Sequence, residues 1–528
     1  MTQDATSAER SDAATEGQVL TSSGEPRVVR PSIARRMSPL RALQTAGVAL
    51  ALLVGLGAVT SPDPERLEAG PPAQQPVVTT TLVCPPLLGD QQTLTSRLTV
   101  WSPPGLPGQE GEGAGTVRAL DANAEDAPSR TLEAPGDAAA VVADTENAPP
   151  LLARGVGALA PGLAGDTLTV SSRARDRGLS SVQCAEPNAD AWFVGGGSDV
   201  GRRSTLVLSN ADSTAAALSV DVYSRDGLVD APAGRGIVVP PRTTRTLGLD
   251  ALAPGAGALA VRIRVDTGRI SSALRDTDRA GLRPRGSDYV PQAAAPAERV
   301  IVPGLPGGAG VRQLRVVVPG DADATVNLRI LGREESFAPE GADVVQASAG
   351  RLTVVDLTSA VDGEAVALEL TSDQPLTAGV FVRLQAPGTL PEFAWTAAAS
   401  AVSGGAAAAT NRVGDGWAAA VHLAAPDAEA EVDLLIGVPG GELETTRVTV
   451  PAGRSTSVSL GTSEAAALRS VLVLPVAGTG PVHAARIQRF EGANGDTVTT
   501  LPLRSLRLSV DVPQAAPDLS VGLGAAEG

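Results

Sequence analysis

The stretch Leu259–Ala273, LAVRIRVDTGRISSA, decides how this chain is read. Apolar and charged residues alternate from Val261 to Val265, which is the two-residue period of a strand buried on one face. Val261, Ile263 and Val265 are expected to point inward, with Arg262 and Arg264 toward water. Val265–Ile270, VDTGRI, carries the Asp and Gly of a hairpin turn. The pattern returns at Val366–Val380, VALELTSDQPLTAGV, and at Val471–Ala485, VLVLPVAGTGPVHAA. Recurrence at a period of roughly 105–109 residues marks tandem units.

Three more segments recur in the same order. Ser204–Asn210 (STLVLSN) is echoed at Gln313–Gly320 and Ala418–Pro426, and Leu218–Ser224 (LSVDVYS) at Val326–Gly332 and Val432–Val438. Gly236–Leu249 is matched by Asp343–Leu357 and Arg447–Leu460. Short runs of Val, Leu, Ile and Thr between Gly, Pro, Asn and Asp are strand and turn chemistry. The repeats predict an all-β fold of tandem immunoglobulin-like β-sandwich modules, without the Cys–Trp–Cys core of a true immunoglobulin domain. Modules are expected at residues 191–290, 298–390 and 395–511, followed by a flexible tail, 512–528. Residues 82–190 read as a divergent first copy. In it Arg97–Ser102 (RLTVWS) resembles LSVDVYS, and Thr167–Val182 mirrors Ala258–Ala273. The Gly-, Pro- and acid-rich stretch between them, about 103–150, predicts a disordered insertion.

Ahead of the modules, residues 40–60 are almost entirely apolar and long enough for one transmembrane helix. Arg27, Arg30, Arg35, Arg36 and Arg41 precede this segment, whereas Asp63, Glu65 and Glu68 follow it. The positive-inside rule makes it a signal anchor in the cell membrane, with a disordered cytoplasmic tail at 1–39 and the bulk of the chain extracytoplasmic. A cleaved signal peptide is the rival reading, and its charged region would be unusually long. Residues 61–81 read as a Pro-rich stalk. Cys84 and Cys184 are the two cysteines, both on the outer side, where a disulfide between them would persist.

The composition narrows the function. The net charge is −16 and all 42 basic residues are Arg, so nucleic acid is not an expected partner. With two His and two Cys, multi-ligand zinc and iron–sulfur sites are nearly excluded. His422 and His483 lie on strands and read as structural groups. The acids of Asp121–Asp126 and Asp321–Asp323 lack the pattern of a calcium loop and read as solvated. Gly155–Ala160 and Gly255–Ala260 brush against a dinucleotide fingerprint, but no helix is expected after them. No catalytic residue, cofactor or metal is assigned, and the chain is read as a non-enzyme. Trp192, Trp395 and Trp417 are assigned first to packing where modules join, and second to stacking on sugar rings.

The basic-flanked anchor, QCAEP at 183–187, WFVGGG at 192–197, GRRSTLVLSN at 201–210 and GRGIVVPP at 234–241 together resemble an actinobacterial family of unknown function. The resemblance covers roughly residues 40–510. It implies a single-pass envelope protein encoded near a cell-envelope glycosyltransferase, and it carries no catalytic residues over. The function expected is that of an interaction or scaffolding component of the cell envelope, partnered by envelope proteins. A module protein that binds envelope glycans is the alternative.

Overall fold

Strand alternation at the deciding stretch produces the expected faces. Val261 and Ile263 are buried and Val265 packs at the edge of the same core, while Arg262 and Arg264 turn outward to Asp190 and Asp221. The computed structural model describes residues 72–86, 94–121, 129–143, 148–171, 177–361 and 363–513, together with Val48 and Ala51, which are helical. The expected cytoplasmic tail, the rest of the anchor, residues 61–71 of the stalk and the tail beyond 513 lie outside the described residues. Among the described residues no helix is long and apolar enough to cross a membrane.

Residues 72–513 are nearly all β, and their strands form four pairs of sheets, each pair enclosing a core of Val, Leu and Ala. One strand order repeats. With the eight main strands of a pair counted along the chain, one sheet runs 1-6-3-4 and the other 5-2-7-8. In the fourth pair the first sheet is Ala406–Val413, Ala467–Pro475, Ala430–Gly437 and Leu443–Val450. Arg454–Ser459, Trp417–Ala425, His483–Phe490 and Thr497–Pro502 make the second.

Several expectations are corrected. The described parts of 103–150 are not a disordered insertion, because Gly113–Ala119, Ser129–Leu132 and Ala138–Ala143 are strands three, four and five of the first pair; residues 122–128 and 144–147 lie outside the described residues. Consequently RLTVWS is part of strand two, and Thr167–Val182 spans strands seven and eight, one position later than its presumed counterpart. Strands six and seven lie in opposite sheets, so Val265–Ile270 turns a corner between sheets rather than a hairpin, with Gly268 at φ 81°. The matching stretch Ser372–Thr377 is no turn at all. Val366–Leu384 runs as one strand of 19 residues. Its first part pairs with Ala324–Leu331 and its second with Gly310–Val317. SDQPLT has no Gly to take a positive φ, and Pro375 holds Gln374 extended. The last strand of the third pair, Glu392–Ala397, falls past the expected boundary at 390 and takes Trp395 with it. Within the expected stalk, Ala73–Pro76 is a strand paired antiparallel with Ser509–Val512, so the two ends of the folded region meet.

The four pairs close on one another. Their eighth strands, Gly178–Gln183, Arg283–Val290, Glu392–Ala397 and Thr497–Pro502, lie against each other in cyclic order. Apolar contacts bridge neighbours around this cycle. Val83 and Ala211 join the first and second pairs, Trp192 and Ala397 the second and third. Leu331 and Ala424 join the third and fourth, and Leu179 and Trp417 the first and fourth.

Candidate functional site

The residues that distinguish this interior are polar, and they sit where the four eighth strands converge. Asp288 is fully buried. Its Oδ1 accepts from the Ser181 backbone N–H at 3.3 Å and from the Thr499 hydroxyl at 2.9 Å, and its Oδ2 accepts from the Trp395 N–H at 3.1 Å. One carboxylate on the second pair therefore holds the first, third and fourth. Ser181 and Thr499 also hydrogen-bond each other through their hydroxyls at 2.9 Å.

Two further links surround this hub. Arg177 donates to Glu392 Oε2 at 3.3 Å and to the Gly495 carbonyl at 2.7 Å, joining the first pair to the third and fourth. Asp166, on the first pair, accepts from the Ala409 and Thr410 N–H groups of the fourth and lies 3.9 Å from Arg486. The backbones approach closely here. A Cβ on Gly178 would lie 2.7 Å from the Ser287 nitrogen, and one on Gly286 would lie 2.8 Å from Glu392 Oε1.

Burial decides the electrostatics. It pushes the Asp288 carboxyl well above its ordinary value, outweighing the hydrogen bonds that favour the anion. Burial likewise pushes Glu392 well up despite Arg177, and raises Asp166 despite Arg486. Arg486 is lowered by burial, and none of its guanidinium nitrogens has a hydrogen-bond partner. Raised carboxyls in a cleft are a signature of acid–base catalysis. Here each carboxylate instead spends its lone pairs on backbone and side-chain donors of neighbouring strands, so the arrangement ties strands together.

The residues singled out in the sequence fall elsewhere. Cys84 and Cys184 form a disulfide within the first pair. All four tryptophans are buried, which favours packing where sheet pairs join over the sugar-stacking assignment. Trp192 stacks on Tyr223 at 5.6 Å with Arg262 over its ring. Trp395 donates its indole N–H to Asp276 at 3.0 Å and lies under Arg202 and Arg315. Trp417 lies between Phe490, at 4.4 Å, and Arg412, at 4.2 Å. These rings fill space where sheet pairs join.

His422 bonds the Ser457 hydroxyl through Nδ1, and burial lowers its pKa to about 4. His483 donates from Nδ1 to the Ala399 carbonyl. Asp323 accepts from the Ala349 N–H, while Asn123, Glu125 and Asp126 lie outside the described residues. Gly255–Ala260 leads into the strand Ala260–Thr267 and no helix. Among the described residues no group of three or more His, Cys, Asp or Glu could hold a metal ion.

An open groove of about 790 Å³ runs beside the disulfide, between Gln183 and Glu186 on one side and Ser403, Arg504 and Ser505 on the other. Neither this groove nor the polar junction was singled out by sequence. The available signal was the Ser and Thr residues on the eighth strands (Ser180, Ser181, Thr499, Thr500), which occupy buried positions where Val or Leu would be expected. Residues 139–486 match the model of a family of unknown function (DUF5719). No curated protein matches the chain.

Proposed function

Because the chain belongs to the family of unknown function DUF5719, no inherited activity constrains the reading, and we propose a non-enzymatic interaction or scaffolding role in the cell envelope. In this proposal the four sheet pairs are immunoglobulin-like β-sandwich modules. They stand outside the cell on a transmembrane anchor at residues 40–60, in an actinobacterial protein encoded near a cell-envelope glycosyltransferase. The observation that carries the reading is Asp288, hydrogen-bonded to the eighth strands of the three other pairs. Modules strung on linkers would flex, whereas modules tied through a shared buried carboxylate hold their outer loops and the groove at fixed spacings. Fixed spacing is what a scaffold for several contacts needs, because ordering cost is removed before binding. The burial of all four tryptophans favours this reading over the glycan-binding alternative.

Photo-crosslinking in intact cells tests the proposal, with the crosslinker placed at Ser403 or Ser505 on the groove rim of the full-length protein. Discrete adducts with other envelope proteins are expected. Adducts with glycan alone, or none at either position, would contradict it.

A further inference from the structure

On the flank where the first and fourth sheet pairs meet, a cavity of about 310 Å³ opens between Arg97 on one side and Arg412 with Trp417 on the other. Val142, Leu168 and Val170 supply apolar wall. Its charge pattern departs from that of the ion-paired strand arginines elsewhere. Several outward-facing strand arginines have carboxylates, as in Arg262–Asp190 at 2.9 Å, Arg264–Asp221 at 2.7 Å and Arg447–Asp433 at 2.7 Å. Arg97 and Arg412 are half-buried and face the same space. Among the described residues, no ion pair or side-chain hydrogen bond engages the guanidinium of either one. Asp415 acts on Arg412 only from a distance, and burial followed by the charge of Arg97 lowers the Arg412 pKa. Two like charges beside a low-dielectric wall repel, and only in part do the distant Asp415 and the Trp417 ring offset that repulsion at Arg412.

We propose that this cavity is a binding site for an organic anion, whose carboxylate or phosphate lies between Arg97 and Arg412 and whose apolar body rests on Leu168, Val170 and the Trp417 edge. The inference stands apart from the scaffolding role and uses no residue of the central junction. Planar guanidinium forks match both head groups. Arg412 is already oriented by the Trp417 ring, 4.2 Å from its Cζ, and Trp417 is in turn backed by Phe490, so little side-chain freedom remains to be lost on binding. The volume lies at the small end of ligand cavities, which suits one ring with an anionic substituent rather than a polymer.

Calorimetric titration of the full-length protein tests this, using phenyl phosphate, benzoate and the neutral benzyl alcohol. Saturable heat is expected with at least one of the two anions and none with the alcohol. Phosphate against carboxylate preference then identifies the head group. Arg97→Gln and Arg412→Gln are each expected to weaken binding about tenfold or more, the usual worth of a charge-assisted hydrogen bond. If Arg412→Gln shifts the thermal midpoint, Arg97→Gln, on the neighbouring sheet pair, decides alone. Flat titrations with both anions, equal heat from benzyl alcohol, or an unchanged affinity in Arg97→Gln would overturn the proposal.

Discussion

Within each sheet pair the interior is aliphatic and repetitive, whereas the junction of the four pairs is polar and different on every strand. Leu206, Leu218, Val220 and Ile263 of the second pair could exchange shapes with their counterparts Leu314, Val326, Leu328 and Leu370 of the third without changing the chemistry. Asp288, Glu392, Arg177 and Ser181 have no such interchange, because each bonds a particular partner. Apolar burial is non-directional and makes each unit fold. Directional buried hydrogen bonds, which are costly when left unmade, set how the units are placed against one another.

The largest effect separates the first pair from the others, since it carries the only disulfide the chain can form. Replacing Cys84 and Cys184 by Ser reopens a loop 100 residues long, and loop-closure entropy puts the loss at about 4–5 kcal/mol. Denaturant melts of the full-length protein should show the first pair unfolding ahead of the rest. Next comes the junction. Asp288→Ala leaves the Ser181 and Trp395 N–H groups and the Thr499 hydroxyl without their acceptor, at a cost of about 4 kcal/mol. It should also lower cooperativity, seen as a smaller urea m-value. By contrast, Leu218→Ala in the second core should cost about 3 kcal/mol through its cavity alone, with pairs still unfolding together.

Acid and base responses sharpen the contrast. His422 has its pKa lowered by burial from 6.5 to about 4, so between those values the unfolded chain takes up a proton that the folded one refuses. Its contribution, about 3 kcal/mol, is present above pH 6.5 and lost as pH falls toward 4. Asp288 runs the other way. Its folded pKa is raised, so its contribution is full below the ordinary value of 3.8 and lost as pH rises through the raised one. Stability curves of His422→Gln and Asp288→Asn against the parent should therefore converge or diverge at opposite ends of the pH scale.

How much of this was legible follows from the same contrast. Alternation around Val261 and Ile263 exposes strands because a one-faced core imposes a period of two. Recurrence of that alternation exposes the repeat. The strands inside 103–150 were hidden because Gly113–Ala119 is mostly Gly and small side chains, as in GAGTVRA. The stretch 372–377 looks like a turn in sequence because Asp and Pro favour turns locally, while pairing on both sides keeps Val366–Leu384 extended. The junction was not legible, because Asp288 in GSDYV and Glu392 in PEFAW look like solvated loop acids. Only tertiary structure brings residues 177, 288, 392 and 499 together.

Scanning calorimetry of the full-length protein beside Asp288→Ala tests the central claim most directly. If the junction locks four sheet pairs into one body, the parent unfolds in a single transition whose calorimetric and van't Hoff enthalpies agree, and the variant splits into several. A parent that already melts in separate transitions, with the variant tracing the same profile, would contradict the claim.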